Sequence, residues 1–171
     1  MPVLSDNITD NQGILLYPET MIYIIIIPFI LISIMLILLH IGFIPARLSE
    51  GKTPGDFAMD YQQLQIETSK KKTLSAWYIA PFSNSDSSRA AESAPLIIIV
   101  HGWGSNSELM LPIAGIFHQA GLNVLLFDSR CHGQSEGDTY SALPRFSEDI
   151  NHAIDQAIKT LPFNGKIILL G

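Results

Sequence analysis

The residues best placed to do chemistry form a short turn, His101-Gly102-Trp103-Gly104, which directly follows an apolar run of mostly β-branched residues. That run, residues 96–100, is entered through Pro95 and is typical of a parallel strand buried on both faces. Ligands of open α/β sheets bind at the carboxyl ends of the strands, where this turn lies. Backbone N–H groups held in such a turn stabilise a developing negative charge, and flanking glycines allow the backbone to approach a ligand closely. We therefore expect the functional site at residues 101–104.

A second motif, Asp128-Ser129-Arg130-Cys131-His132-Gly133-Gln134-Ser135-Glu136-Gly137, follows the next apolar run. The order of strand, His-Gly-Trp-Gly turn, helix, strand and this loop resembles the α/β-hydrolases, in particular the serine-hydrolase branch of esterases, lipases and prolyl-type peptidases. The resemblance covers residues 61–171. It implies the N-terminal half of an α/β-hydrolase fold: a mostly parallel sheet with flanking helices and an antiparallel strand pair at its start.

The resemblance assigns an oxyanion hole to the first motif. It implies that the backbone N–H of Trp103 is one donor to the oxyanion of a tetrahedral intermediate, with Gly102 and Gly104 shaping the loop and the indole lining an acyl pocket. His101 is not the expected general base, because the family's catalytic histidine lies near the end of the chain. We expect His101 to have a structural role.

The second motif is interpreted as structural. Asp128 and Arg130 are expected to form a hydrogen-bond network and to take no part in catalysis. Cys131 replaces a glycine of the family's usual loop, and a lone cysteine without an activating partner is not expected to be a nucleophile. His118 and His152 fall on predicted helices and are expected at the surface.

The resemblance also predicts where the nucleophile stands. Residues 166–170 form an apolar run leading towards a nucleophile elbow, Gly-x-Ser-x-Gly, in which Gly171 takes the first glycine. On this pattern the 171 residues are the first half of a hydrolase domain, lack the Ser/Asp/His triad and are inactive alone. The implied activity is cleavage of an ester, thioester or amide bond of a small-molecule or acyl substrate through an acyl-enzyme, with no cofactor and no metal.

Other interpretations stay open at this point. Taken alone, residues 101–104 could be a tight strand-to-helix turn, and a genuine short chain would be a catalytically dead interaction module tethered to the membrane, or a remnant. Gly102 and Gly104, with Asp128 ending the next strand, also imitate a dinucleotide-binding turn. Ser107 stands where that motif needs its third glycine, which argues against this last interpretation.

These motifs are preceded by an apolar run at residues 21–43, long enough for a transmembrane helix, which needs roughly 20 residues. Pro28 is expected to kink this helix. A cleaved signal peptide would carry basic residues before the run, but the charged residues among 1–20 are all acidic. A core helix is rarely so uniformly apolar. Since Arg47 and Lys52 follow the run, the positive-inside rule predicts a single-pass membrane protein whose soluble domain is cytoplasmic.

The remaining chain is predicted to contain a polar tail (1–20), a linker (44–60) and the partial hydrolase domain (61–171). Within the domain the periodicities predict strands at 61–68 and 73–80, an exposed loop at 81–94, a helix at 111–120, a strand at 122–127, a helix capped by Ser147 and a buried strand at 166–170. The net charge of −6 and the absence of a basic cluster beyond residues 70–72 argue against nucleic acid as a partner. The expected partner is the lipid bilayer, through residues 21–43. One cysteine allows no internal disulfide.

Overall fold

The computed structural model describes residues 18–49, 51–82, 87–137 and 140–171. Its first element is an apolar helix, α1 (Pro18–Gly42), which continues through Pro28. Within these ranges, Ile22–Gly42 is the one helical stretch long and apolar enough to cross a membrane. Residues 18–20 belong to this helix, so the predicted tail ends earlier than position 20, and its residues 1–17 lie outside the described part.

The residues from His40 onward form a separate compact unit built on a five-stranded sheet. The strands are β1 (Tyr61–Glu67), β2 (Thr73–Ile79), β3 (Leu96–Val100), β4 (Asn123–Phe127) and β5 (Ile167–Leu170). Their spatial order is β1-β2-β4-β3-β5. β2 is antiparallel to both neighbours, whereas β3 is parallel to β4 and β5. The antiparallel pair at the start of a largely parallel sheet is confirmed.

Helices cover both faces of this sheet. The helices are α2 (Ser87–Ser93), α3 (Leu111–Gln119) and α4 (Leu143–Thr160), with short 3-10 helices at Pro54–Phe57 and Glu108–Met110. Ala153 and Ala157 of α4 pack on one face of the sheet, and Leu111 and Ala114 of α3 pack on the other. β3 and β4 lie between the two helical layers, which explains their continuous apolar sequence.

Three sequence predictions about these elements were wrong. The predicted loop 81–94 contains α2, whose Ala91 is buried. α4 begins at Leu143 and not after Ser147, because Pro144 occupies the first helical turn, where a missing N–H costs no hydrogen bond. β5 is only partly buried, since the side chains of Ile168 and Leu169 are exposed.

The segment predicted as a linker is partly folded onto the domain. Pro54 and Met59 are buried, and Thr53 forms a capping box with Asp56. Hydrogen bonds from the backbone and side chain of Thr53 lower the pKa of the Asp56 carboxyl. Earlier in the segment, the carbonyl of Phe43 accepts a hydrogen bond from the N–H of Ser141 at 2.9 Å. The chain that follows α1 is thereby held against the loop that leads into α4.

Candidate active site

The loops after β3 and β4 meet at the carboxyl edge of the sheet, because the two strands are parallel neighbours in register. Val100 pairs with Phe127, so the residues that follow each strand start side by side. The structure therefore brings together the two motifs that the sequence singled out, His101 to Gly104 and Asp128 to Gly137. The chemistry that this edge can support depends on which hydrogen-bonding groups hold the two loops together and which remain available to a ligand.

His101 joins the two loops. It is 2% exposed, its Nδ1 lies 2.8 Å from the carbonyl oxygen of Gly102, and its Nε2 lies 3.0 Å from the backbone nitrogen of Ser129. Because a carbonyl only accepts and an N–H only donates, these partners place the proton on Nδ1. Burial lowers the pKa of His101, which keeps the ring neutral. Both ring nitrogens are occupied by backbone groups, as the structural role predicted for this residue requires.

The turn at Trp103 has the opposite character. Its indole is half exposed, and it stacks on Phe146 of α4 with ring centroids 6.3 Å apart. Gly104 has φ +68°, a left-handed conformation that glycine adopts without strain, and the N–H of Ser105 closes the turn onto the carbonyl of Gly102 at 3.2 Å. Within the described residues, the backbone N–H of Trp103 has no hydrogen-bond acceptor. This donor is available at the carboxyl edge of the sheet.

Asp128 holds both loops in place through hydrogen bonds to their backbone. The residue is fully buried, and its carboxylate accepts hydrogen bonds from the N–H groups of Ser107 at 2.7 Å and Gln134 at 2.8 Å. Gly133, at φ +44°, passes so close that an added Cβ would collide with this carboxylate. Asp128 therefore fixes the backbone around the site and does not face a substrate, in agreement with its predicted structural role.

Arg130 fixes α4 to the same loop. Its Nε donates to Asp149 at 2.8 Å, its Nη2 lies 2.6 Å from the same carboxylate, and its backbone N–H bonds the second oxygen at 2.9 Å. Glu148 adds an ion pair at 3.0 Å from the solvent side. Burial opposes the charged guanidinium, but the hydrogen bonds and charge of Asp149 outweigh it and raise the pKa of Arg130. The predicted network is present, and Asp149 is the partner that the sequence did not reveal.

His132 is also buried, but only one of its two ring nitrogens is hydrogen-bonded. Its Nδ1 lies 3.0 Å from the carbonyl oxygen of Arg130, whereas Nε2 has no hydrogen-bond partner within the described residues. Rings of His101, Trp103 and Phe146 surround it at centroid distances of 5.0 to 5.7 Å. Burial lowers the pKa of His132, and the nearby charge of Arg47 lowers it further. The aromatic surroundings and the position of Arg47 could not be predicted from the motifs.

His118 and His152 take no part in this junction. His118 was expected at the surface but is mostly buried, because its Nδ1 is hydrogen-bonded to the carbonyl of Ala80 at 2.7 Å. His152 is partly exposed, and its Nε2 accepts the N–H of Ser69 at 3.2 Å. In the described ranges, no three His, Cys, Asp or Glu side chains are grouped so that they could hold a metal ion.

Comparison with known proteins agrees with this geometry. A family model described as serine aminopeptidase, S33, matches residues 91–171, which include both motifs. Part of the chain is 31% identical over 91 residues to the protein bem46 of Schizosaccharomyces pombe, and 32% identical over 72 residues to the thiohydrolase aneE of Aspergillus aculeatus. A solved esterase of Pyrococcus furiosus, Pf2001, superposes with a TM-score of 0.61 at 25% identity over 73% of this chain. The chain has the fold of the α/β-hydrolases, with the sheet order and the two loops in place.

This α/β-hydrolase chain spans only part of the proteins it matches. The match to the bem46 protein covers 53% of this chain and 28% of that protein, and the match to the thiohydrolase covers 42% of this chain and 21% of that protein. The match to the solved esterase covers 44% of the esterase. The residues that match the family model, 91–171, include β3, β4, β5 and the loops that carry His101, Trp103 and Asp128.

Proposed function

We propose that this chain belongs to a membrane-anchored serine hydrolase that cleaves an ester, thioester or amide bond through an acyl-enzyme, and that the backbone N–H of Trp103 is a donor of its oxyanion hole. The observation that carries the proposal is this N–H group, which is held in a glycine-flanked turn at the carboxyl edge and has no acceptor among the described residues. A preorganised donor of this kind stabilises the charge that develops on the carbonyl oxygen during attack by the nucleophile.

The surroundings of Trp103 support the same chemistry. The neutral His101 locks the turn to the loop after β4, so the donor would need no rearrangement when the oxyanion forms. β5 runs parallel to β3 and Gly171 follows its last residue, which supports the position near this turn that the family pattern gives to the nucleophile. The bond class follows the matched proteins, whose names include an esterase, a thiohydrolase and a serine aminopeptidase family.

The membrane anchor and its sidedness are part of the proposal. The helix Ile22–Gly42 has the length and composition of a membrane span. Basic residues follow this helix and none precedes it, which favours a cytoplasmic hydrolase domain.

The test is to label the native protein in its own membranes with a fluorophosphonate probe and to map the modified peptide after tryptic digestion. Trypsin cleaves after Lys166, so we expect the probe on a serine in the peptide that begins at Ile167. A peptide that ends at Gly171, or one that continues without the modified serine, would contradict the proposal. The intact mass of the native protein decides between these two outcomes.

The role of Trp103 is tested by a pair of substitutions in the same protein. Trp103→Pro removes the backbone donor and should lower turnover of an ester by about 10²- to 10³-fold. Trp103→Phe keeps the N–H and should retain most of the activity. Thermal unfolding of both variants shows whether the proline has disturbed the fold. Equal activities of two folded variants would exclude the oxyanion role.

A further inference from the structure

Several large apolar side chains at and near the carboxyl edge of the sheet are exposed within the part of the chain that the structure describes. Leu143, in the first turn of α4, is 85% exposed, although it is a large apolar residue. Trp103 is half exposed, and so are Phe43 and Ile44 in the segment that follows α1. Exposed apolar residues that lie together, in contrast to isolated ones, mark a surface with a partner.

Contacts within the domain connect these residues to one another. The carbonyl of Phe43 accepts the N–H of Ser141, two residues before Leu143. Phe146, one helical turn after Leu143, stacks on Trp103. We call Phe43, Ile44, Trp103 and Leu143 the apolar rim. The rim therefore runs from the chain that leaves α1 to the turn that carries the proposed oxyanion donor.

Two features identify the partner of the rim as lipid. Phe43, a residue of the rim, directly follows the candidate span Ile22–Gly42 in the sequence, so a bilayer that holds this span has its interface close to Phe43. Arg47 and Lys52 are exposed just beyond it, and their charges complement anionic headgroups.

We propose that the apolar rim lies in the bilayer interface and that the site takes an amphiphilic acyl substrate directly from the lipid phase. This inference rests on the proposed membrane-anchored hydrolase and specifies its substrate class. An aromatic ring at the headgroup level, as Trp103 would be, is the usual arrangement at membrane interfaces. An acyl chain that leaves the bilayer beside Trp103 would reach the oxyanion donor without exposure to bulk water.

Trp103 itself provides the probe. The native protein is reconstituted in phosphatidylcholine and phosphatidylserine vesicles, and its fluorescence is compared with that of Trp103→Phe, so that the difference spectrum reports Trp103 alone. We expect lipids brominated near the headgroup to remove most of this signal, and acrylamide in the water to remove little of it. A Trp103 signal that acrylamide quenches and brominated lipid does not would overturn the inference.

A matched pair of variants on α4 tests the rim. Leu143→Asp should abolish the quenching of Trp103 by brominated lipid, and should reduce hydrolysis of a long-chain ester embedded in vesicles more than that of a short soluble ester. Ile158→Asp places the same charge on an exposed apolar position at the other end of the helix and should change neither. Identical behaviour of the two variants would contradict the inference.

Extraction with alkaline carbonate separates this inference from the proposed function. If the protein resists extraction but brominated lipid does not quench Trp103, the membrane anchor stands and the proposal that the rim lies in the bilayer interface is contradicted. Protein that is released by carbonate contradicts both the anchor and the rim, and fluorophosphonate labelling then reports on the hydrolase chemistry alone.

Discussion

At the scale of single residues, the site is organised by side chains that bind backbone groups. His101 and Asp128 together hold four backbone groups, those of Gly102, Ser129, Ser107 and Gln134. None of these contacts needs a substrate, yet all of them fix the turn that presents the N–H of Trp103. The chemistry-bearing residue types of the two motifs therefore act mainly as scaffold, while the candidate catalytic group is a main-chain atom.

His132 predicts a pH dependence of stability. Burial lowers its pKa in the folded protein, whereas an unfolded chain has the ordinary value of about 6.5. Below about pH 6.5 the unfolded chain therefore binds more protons, and the free energy of unfolding falls as the pH falls, until the folded pKa is reached. The slope from one such group is at most about 1.4 kcal/mol per pH unit. Above this window the contribution is constant.

The substitution His132→Phe removes the titrating group and keeps a ring between Trp103 and Phe146. Since the carbonyl of Arg130 loses its donor, the variant should be less stable at neutral pH, but its stability should fall less between about pH 7 and pH 5 than that of the wild type. Denaturant titrations of both proteins at several pH values measure this difference. Parallel curves across the range would show that His132 does not resist protonation in the folded state.

The same residues show what sequence can reveal about a site. The motif around Trp103 was predictable because glycines on both sides of one residue, directly after an apolar run, restrict the backbone to a tight turn. The ring of Phe146 against Trp103 was not predictable, because it depends on the angle at which α4 crosses the sheet. The Nε2 of His132, which has no partner among the described residues, has the same origin, since its ring neighbours come from the loop after β3 and from α4.

At the scale of elements, prediction succeeded where burial imposes a pattern. β3 and β4 are buried on both faces, and their uninterrupted apolar runs gave their positions to within a residue. α2 was missed because it is only seven residues long and its serines and alanines carry no apolar stripe. The start of α4 was misplaced because Ser147 and the acids after it imitate a helix cap. In the structure Asp149 serves Arg130, which explains its position inside the helix.

The contact between α4 and the loop after β4 yields a prediction at this scale. Arg130 is buried, so Asp149→Asn removes the buried one of its two counter-charges and leaves only the exposed Glu148, and the free energy of unfolding should fall by about 3–5 kcal/mol. Glu148 pairs with the same guanidinium but is half exposed, and Glu148→Gln should cost about 1 kcal/mol or less.

Denaturant titration of the two variants, prepared alike, measures both changes. The neighbouring position is a close control, because both substitutions replace a carboxylate by its amide within one turn of α4. Similar small losses would mean that water or another group reaches Arg130 and that the pair does not hold α4 to the site. Loss of ester hydrolysis in Asp149→Asn alone would then have to be explained without this contact.

At the scale of the whole molecule, the two units distribute their apolar side chains differently. The helix Ile22–Gly42 exposes apolar side chains along its length, as a lipid-facing span does, whereas the unit from His40 onward buries its apolar residues on both sides of a sheet. The basic residues lie on one side only, because every lysine and arginine follows the helix. The prediction of sidedness therefore depends on how the basic residues are distributed over the whole chain, and no single element carries it.

The sequence contains its own reporter of sidedness. Asn7-Ile8-Thr9 is an acceptor for N-glycosylation, and it precedes the candidate span. If the amino terminus faces the lumen, as the positive-inside rule predicts, translation in the presence of microsomes should add one glycan, and Asn7→Gln should remove it. The mass of the product before and after treatment with a glycosidase measures the modification.

A second acceptor on the other side of the helix makes the experiment decisive. Lys166→Thr places a hydroxyl two residues after the exposed Asn164, beyond Gly165, and creates an acceptor sequence in the hydrolase domain. With the predicted topology the Asn164 site stays unmodified and Asn7 carries the glycan. The inverted topology reverses the two results, because only acceptors in the lumen meet the transferase. Such an inversion would place the site in an extracytoplasmic compartment, and the basic residues Arg47 and Lys52 would then meet the outer leaflet.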